Sequence, residues 1–283
     1  SGGPGAKNLK EFVGICQKMF VWLKENCACK SRANLLSMTG GKFTVESAPE
    51  FLTEFYKQRK TWTDKTRDTT YVWVWPKLDR LPLCVDIDLR FDAEREQPVD
   101  KFRDFGKACN FGDFTVVSKP RMYEKKAGVW AGGCHIYFEA EFQKKDLRKL
   151  YESTLAVAER IFPSQDPRQC LDDAVFLRRN GCVLPGCFKR GKGARAGRYN
   201  VTGVMCEGNW FAAKDDFTKQ LDEGVCDRII TPFLSLETEV IEVELSELPE
   251  VRSEHFNLNK FLEATKGWVP NNSEWKQVIF FLA

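Results

Sequence analysis

Histidine is scarce in this sequence, with two in 283 residues, and nothing in it is long and apolar. No hydrophobic run approaches the roughly 18 residues that a membrane-spanning helix needs. The opening shows no signal-peptide pattern. The eleven cysteines form no paired-spacing framework, which reads as reduced thiols in an intracellular protein and excludes a disulfide scaffold. There is no internal repeat and no low-complexity segment. Net charge is also small, at +3, so any nucleic acid must be bound by local patches. What remains is 43% hydrophobic and 13% aromatic, the composition of a well-packed globular protein with ample core. Residues 1–6 read as an expression scar. The apolar ending Val278-Ile279-Phe280-Phe281-Leu282 suggests that a longer protein continues beyond it.

The most informative stretch is Cys84 to Asp92. Strict alternation makes it a strand, with Val85, Ile87, Leu89 and Phe91 on one face and Asp86, Asp88, Arg90 and Asp92 on the other. Entered through Pro82 and Leu83, it is expected in the middle of a sheet. Acids repeated along one side of such a strand are costly to bury unless something positive neutralises them. Mg²⁺ or Mn²⁺ suits them, because hard cations prefer carboxylate oxygens. Asp86 and Asp88 project about 6.5 Å apart along the strand, close enough to share two metals in phosphoryl transfer. The plainer alternative is a solvated face held by salt bridges to Arg90.

Along the chain, Asn8 to Asn26 has helical spacing. Cys27-Ala28-Cys29 could supply half a zinc site, but no second pair stands at finger spacing, and zinc is not expected. Ser47-Ala48-Pro49-Glu50 fits a capping box opening a helix over Phe51 to Lys60. Thr69 to Trp75 reads as a strand. After the acidic strand (Leu81–Phe91) come a helix from Val99 to Cys109 and a strand, Phe114–Ser118. A turn rich in Lys and Gly (Lys119 to Gly128) leads to a strand from Trp130 to Ala140. A long helix follows, Lys144 to Phe162, then Leu171-Asp172-Asp173-Ala174-Val175-Phe176 and a fourth strand around Cys182–Phe188. The order is β-α-β-β-α-β, a split βαβ unit within an α+β fold, in which the first and third strands are neighbours and the fourth flanks the first. Strands are further expected over Tyr199–Met205 and Trp210–Ala213. An acidic stretch from Glu237 to Glu250 reads as an edge strand and linker.

This order brings His135 beside Asp86 and Asp88, on a face left open because the helices cover the other. A lone histidine is usually structural, but paired acids opposite it raise its standing, and Gly133 is expected to clear room for a ligand. Asp172 and Asp173 are expected to enter the fourth strand, next to the first, and can add a third carboxylate. Lys119 and Arg121 lie at the mouth of the hairpin. Lys189, Arg190, Lys192, Arg195 and Arg198 form a glycine-interleaved basic run, either a holder of triphosphate or nucleic-acid backbone or a solvated loop. Gly186 to Lys192 matches a P-loop only superficially, since Gly193 replaces the hydroxyl residue that would hold Mg²⁺.

The residues resemble an archaeo-eukaryotic primase, specifically the primase domain of the primase-helicases of nucleocytoplasmic large DNA viruses. The resemblance covers about Leu81 to Arg190. It rests on Asp86-Ile87-Asp88, Gly133-Cys134-His135-Ile136-Tyr137-Phe138 and Leu171-Asp172-Asp173-Ala174-Val175-Phe176, trailed by Gly186-Cys187-Phe188-Lys189. It implies an RRM-like catalytic sheet with added N- and C-terminal elements, residues 7–235 forming the catalytic domain. Residues 236–283 would then lead towards a covalently linked helicase region. It further implies two divalent ions, Mg²⁺ or Mn²⁺, held by Asp86, Asp88 and Asp172, with triphosphate contacts from His135 and Lys189. Primer synthesis from nucleoside triphosphates on single-stranded DNA, at a viral replication site in the host cytoplasm or nucleus, is the implied activity. Departures are Val183 where the family usually has Arg (Arg178 or Arg179 could substitute), Cys187 in place of Ser, and Glu139 at a position often Pro. The residues alone leave open a metal-dependent nuclease or phosphoesterase and a non-catalytic RRM-like module. The latter would stack bases on exposed aromatics, which strands carrying Asp86 and Asp88 do not offer.

Overall fold

The structure, a computed structural model, describes residues 18–28, 33–37, 41–61, 71–73, 79–189, 197–212, 230–231 and 234. The chain separates into two units, Ser1–Thr238 and Glu239–Ala283. The second unit lies outside the described residues, as do the whole acidic stretch from Glu237 to Glu250 and residues 8–17 of the expected first helix.

The larger sheet is built around the acidic strand, β4 (Arg80–Phe91), and the long strand β7 (Val129–Gln143). They pair antiparallel along their whole length, setting Asp86 opposite His135 and Asp88 opposite Gly133. On the far side of β7 lies β5 (Phe114–Ser118), followed by β11 (Asn200–Cys206) and β12 (Asn209–Ala212). β4 and β5 therefore run parallel with β7 between them, joined by helix α3 (Val99–Cys109), which is the expected split βαβ arrangement. The turn expected over Lys119 to Gly128 contains a short strand, β6 (Tyr123–Lys126), which pairs with the start of β7. Hydrogen bonding to Ala131 and Trp130 overrides the weak strand propensity of its charged residues.

One face of this sheet carries Leu83, Val85, Ile87 and Leu89. With Phe102 and Phe105 of α3 and Leu147, Tyr151 and Leu155 of α4 (Leu147–Ile161) they form a closed apolar core. Each such fully buried side chain is worth about 1.5–3 kcal/mol over leaving it exposed. The other face was expected to be open, and it is not. Cys84, Val117, Tyr137 and Val201 project from it into a second core. That core contains Met19 and Leu23 of α1 (residues 18–26) and Phe51 and Phe55 of α2 (Ala48–Arg59), with Leu35 and Phe43 of strands β1 (Leu35–Ser37) and β2 (Lys42–Phe43). The α2 start is capped as its sequence foretells, Ser47 Oγ accepting from the Glu50 amide.

The fourth strand departs most from expectation. Pro185 and Gly186 form a turn, with Gly186 at φ 84°, that splits it into β8 (Cys182–Val183) and β9 (Phe188–Lys189). β8 joins a second sheet of order β2-β1-β3-β8, pairing with β3 (Tyr71–Trp73), while β9 pairs with β10 (Gly197–Arg198). β4 is consequently an edge strand of its sheet rather than a central one. Its Pro82 sits at a register shift, where a missing N–H is tolerated. The outer edge is sealed piecemeal. Leu171 bridges Ile87, the Asp172 amide donates to the Asp86 carbonyl, and the Gln165 side chain bonds both the N–H and the C=O of Arg90.

Candidate functional site

The bond from Asp172 N–H to the Asp86 carbonyl means that Asp86 directs its backbone outward, away from β7. Asp86 and His135 are then a non-hydrogen-bonded antiparallel pair, the kind in which facing side chains stand closest. His135 Nε2 lies 3.5 Å from Asp86 Oδ2. The Ile87–Leu171 bridge sets Asp172 level with Asp86 on the opposite side of β4. Asp172, Asp86 and His135 thus occupy one row across the chain's strands. Asp88, one pleat further on, pairs with Arg90 at 3.1 Å.

Strand pairing ends at Asp172 because its carboxylate caps the next turn of helix. Its Oδ1 accepts from Ala174 N–H at 2.8 Å and Val175 N–H at 3.3 Å, opening the short helix α5 (Asp173–Phe176). The expectation that Asp172 and Asp173 enter a strand is corrected accordingly, and Asp173 forms an ion pair with Arg179. Among the described residues, no three His, Cys, Asp or Glu groups stand together as a ready metal-ligating set.

His135 is 3% exposed and held from three sides. Its Nδ1 is 3.2 Å from the Tyr137 hydroxyl, which donates to the Val183 carbonyl at 3.3 Å. A hydroxyl that donates there has lone pairs left for an Nδ1–H. The ring face is stacked on Tyr199, centroids 4.6 Å apart and planes 17° from parallel. Burial, followed by the charges of Asp86 and Asp88, pushes the Tyr199 phenol well above its usual range. Tyr199 was read from sequence only as the start of a strand. An aromatic residue at a strand entry is too common to mark it.

Lys119 follows the last paired residue of β5, Ser118, which is opposite Cys134, and so comes level with Gly133 and Asp88. It is 8% exposed, with Nζ 4.0 Å from the Tyr123 ring centroid and 5.9 Å from that of Tyr199. Gly133 has a reason other than clearance for a ligand. At φ 145°, a Cβ there would collide with the Ile87 carbonyl, so glycine is what lets β4 and β7 approach. Arg121 is exposed in the turn before β6. Arg178 is half-buried and donates to the carbonyls of Leu81 and Phe142, beside the β4–β7 register shift. Cys84, two residues before Asp86, has its Sγ 3.0 Å from that of Cys182, and burial pushes the Cys84 thiol well up. Lys189 lies on β9, though only its backbone is described. Arg198 is half-buried on β10, opposite Phe188. Arg190, Lys192 and Arg195 lie outside the described residues.

The structure therefore brings together Asp86, Asp88, His135 and Lys119 on one face, with Asp172 beside Asp86. No described helix is long and apolar enough to cross a membrane. No protein family matches the chain, nor does any curated protein.

Proposed function

We propose that this chain is a primase-type nucleotidyltransferase, joining nucleoside triphosphates on a single-stranded DNA template. The observation that carries the reading is the pair Asp86 and Asp88 on one face of β4, with His135 directly across from Asp86. The motif resemblance supplies the reaction class.

The residues suit a pair of Mg²⁺ or Mn²⁺ ions. Asp86 and Asp88 offer hard oxygen donors, with side chains 18% and 46% exposed, so an ion can reach them without unfolding the strand. Asp172 keeps Oδ2 clear of the helix-capping bonds that Oδ1 makes. Bound metals would activate the attacking 3′-hydroxyl and neutralise charge on the triphosphate. The hydroxyl attacks the α-phosphorus, a new P–O bond forms, and pyrophosphate leaves. His135 and Lys119 meet the β- and γ-phosphates, where charge accumulates as the leaving group departs. Lys189 and Arg121 add positive charge at the margins. The run Arg190, Lys192, Arg195 and Arg198 follows the template backbone. A covalently linked helicase region and a role in viral DNA replication belong to the same resemblance.

The test is incorporation of labelled nucleotide on single-stranded DNA with Mn²⁺, Mg²⁺ or chelator. Metal-dependent oligomers are expected. DNA shortened rather than copied would replace this reading with a hydrolytic one, and retention of DNA with neither outcome would leave a binding module.

A further inference from the structure

We propose that Tyr199 is a positioning residue of this site, a flat plate that holds both His135 and Lys119 where the phosphates of a nucleotide bind. The inference rests on the nucleotidyltransferase reading and deepens it, naming a residue that no motif contains.

His135 has two in-plane contacts, at 3.2 Å to the Tyr137 hydroxyl and at 3.5 Å to Asp86, the second too long to be a strong hydrogen bond. Two such contacts set the direction of the ring and leave its plane free to rock about the line joining them. The Tyr199 ring, stacked at 4.6 Å, removes that freedom. The same ring lies 5.9 Å from Lys119 Nζ, within range of a cation–π contact, while Tyr123 takes the closer one at 4.0 Å. One aromatic side chain thereby touches two groups from different strands, β7 and the end of β5.

The plate is itself fixed. Tyr199 is 4% exposed, its N–H donates to the Cys187 carbonyl, and its C=O accepts from the Gly186 N–H. Those partners sit on the turn that splits the expected fourth strand. Asn200, the next residue, pairs with Ser118 immediately before Lys119. The turn at Pro185–Gly186 and the β11–β5 pairing are thus what aim the ring. A tyrosine serving only to fill the core would need neither the parallel alignment with an imidazole nor the cation beside it.

The experiment compares the whole chain with Tyr199→Leu and Tyr199→Phe. It reads nucleotide KM and kcat in primer synthesis, and binding of Mn²⁺ alone and then of nucleotide at saturating Mn²⁺ by calorimetry. Tyr199→Leu is expected to weaken nucleotide binding and raise KM about three- to tenfold, the scale of one lost ring stack. KM should change more than kcat, and Mn²⁺ binding should stay at the wild-type value. Tyr199→Phe, which keeps the ring, should restore KM. The penalty of Tyr199→Leu should shrink in a His135→Ala background, because part of it acts through the imidazole. If Tyr199→Leu does not fold, Tyr199→Met, a flexible filler without a flat face, takes the same measurements. Unchanged KM and nucleotide affinity in the folded variant overturn this inference alone. A wild-type chain that binds no nucleotide with Mn²⁺ and makes no product overturns the nucleotidyltransferase reading, and this inference with it.

Discussion

β4 has two faces built from alternate residues, and different parts of the chain cover them. Leu83, Val85, Ile87 and Leu89 meet α3 and α4, which follow within the same unit of topology. Cys84 meets the layer formed by α1, α2 and the smaller sheet, while Asp86 and Asp88, further along the same face, stay half-buried. The first face is uniform and dry. The second grades from a closed core at Cys84 to a partly solvated acidic margin at Asp88 and Arg90. A strand can thus be rigidly packed on one side and keep charge reachable on the other, with a separation of one residue between the two regimes.

The largest effects should come from breaking that alternation on each side in turn. Asp86→Asn with Asp88→Asn is expected to reduce metal-dependent nucleotide addition to background. The urea midpoint should hold or rise slightly, since two like charges on one face are removed. Ile87→Ala, between them in sequence, should do the reverse. It empties a fully buried site and should cost about 2–5 kcal/mol of stability. Activity per folded molecule should survive. Wild-type synthesis by the double Asn variant would remove the carboxylates from the mechanism. Equal destabilisation by both variants would show that the faces are not energetically distinct.

Next in size is the seam that joins the faces. Gly133→Ala places a Cβ against the Ile87 carbonyl at a φ few side chains adopt, and should cost on the order of 3 kcal/mol. Gly112→Ala, at φ 84° but facing open space, should cost only about 1 kcal/mol. Denaturant titration of both separates collision from backbone strain. Similar losses would mean that close β4–β7 approach is not what Gly133 provides.

How much was legible follows the same division. Period-two alternation located β4 and β7 and put Asp86, Asp88 and His135 on one side. Helical spacing bounded α3 at Val99 and Cys109 as the structure has them. Those signals are local, and so are the partners that satisfy them. The cover over Cys84 and Tyr137 was not legible, because it comes from residues 18–59, far off in sequence, whose own pattern says only that they have an apolar side. Nor was the fate of the fourth strand. Two-residue pairings such as Val72 with Val183 leave no periodicity to detect. Asp172 looked like the start of a strand, yet a carboxylate two residues before an amide is equally a helix cap, and the cap prevailed. The stack joins Tyr199 to His135, 64 residues earlier, and depends on the Pro185–Gly186 turn and the pairing of Asn200 with Ser118, and no spacing rule reaches that far.

The smallest expected effect concerns the outer edge of β4, where the split fourth strand leaves a gap. Gln165 fills part of it by imitating a strand. Its Oε1 accepts from the Arg90 N–H at 2.8 Å, and its Nε2 donates to the Arg90 C=O at 2.7 Å. Gln165→Ala removes both bonds. Arg90 is only half-buried, so water can replace them, and the net loss should be about 1–2 kcal/mol. The local signature should be clearer than the global one. The Arg90 amide, which points outward, should exchange with solvent about five- to thirtyfold faster, following the same free energy. The Leu89 amide, directed towards β7, should keep its protection beyond any change in global stability. Faster exchange at both positions by the same factor would mean that Gln165 supports the fold as a whole. Faster exchange at Arg90 alone would show that the acidic margin is held by a side chain standing in for the missing strand, and that β4 can loosen at its outer edge while its core face stays closed.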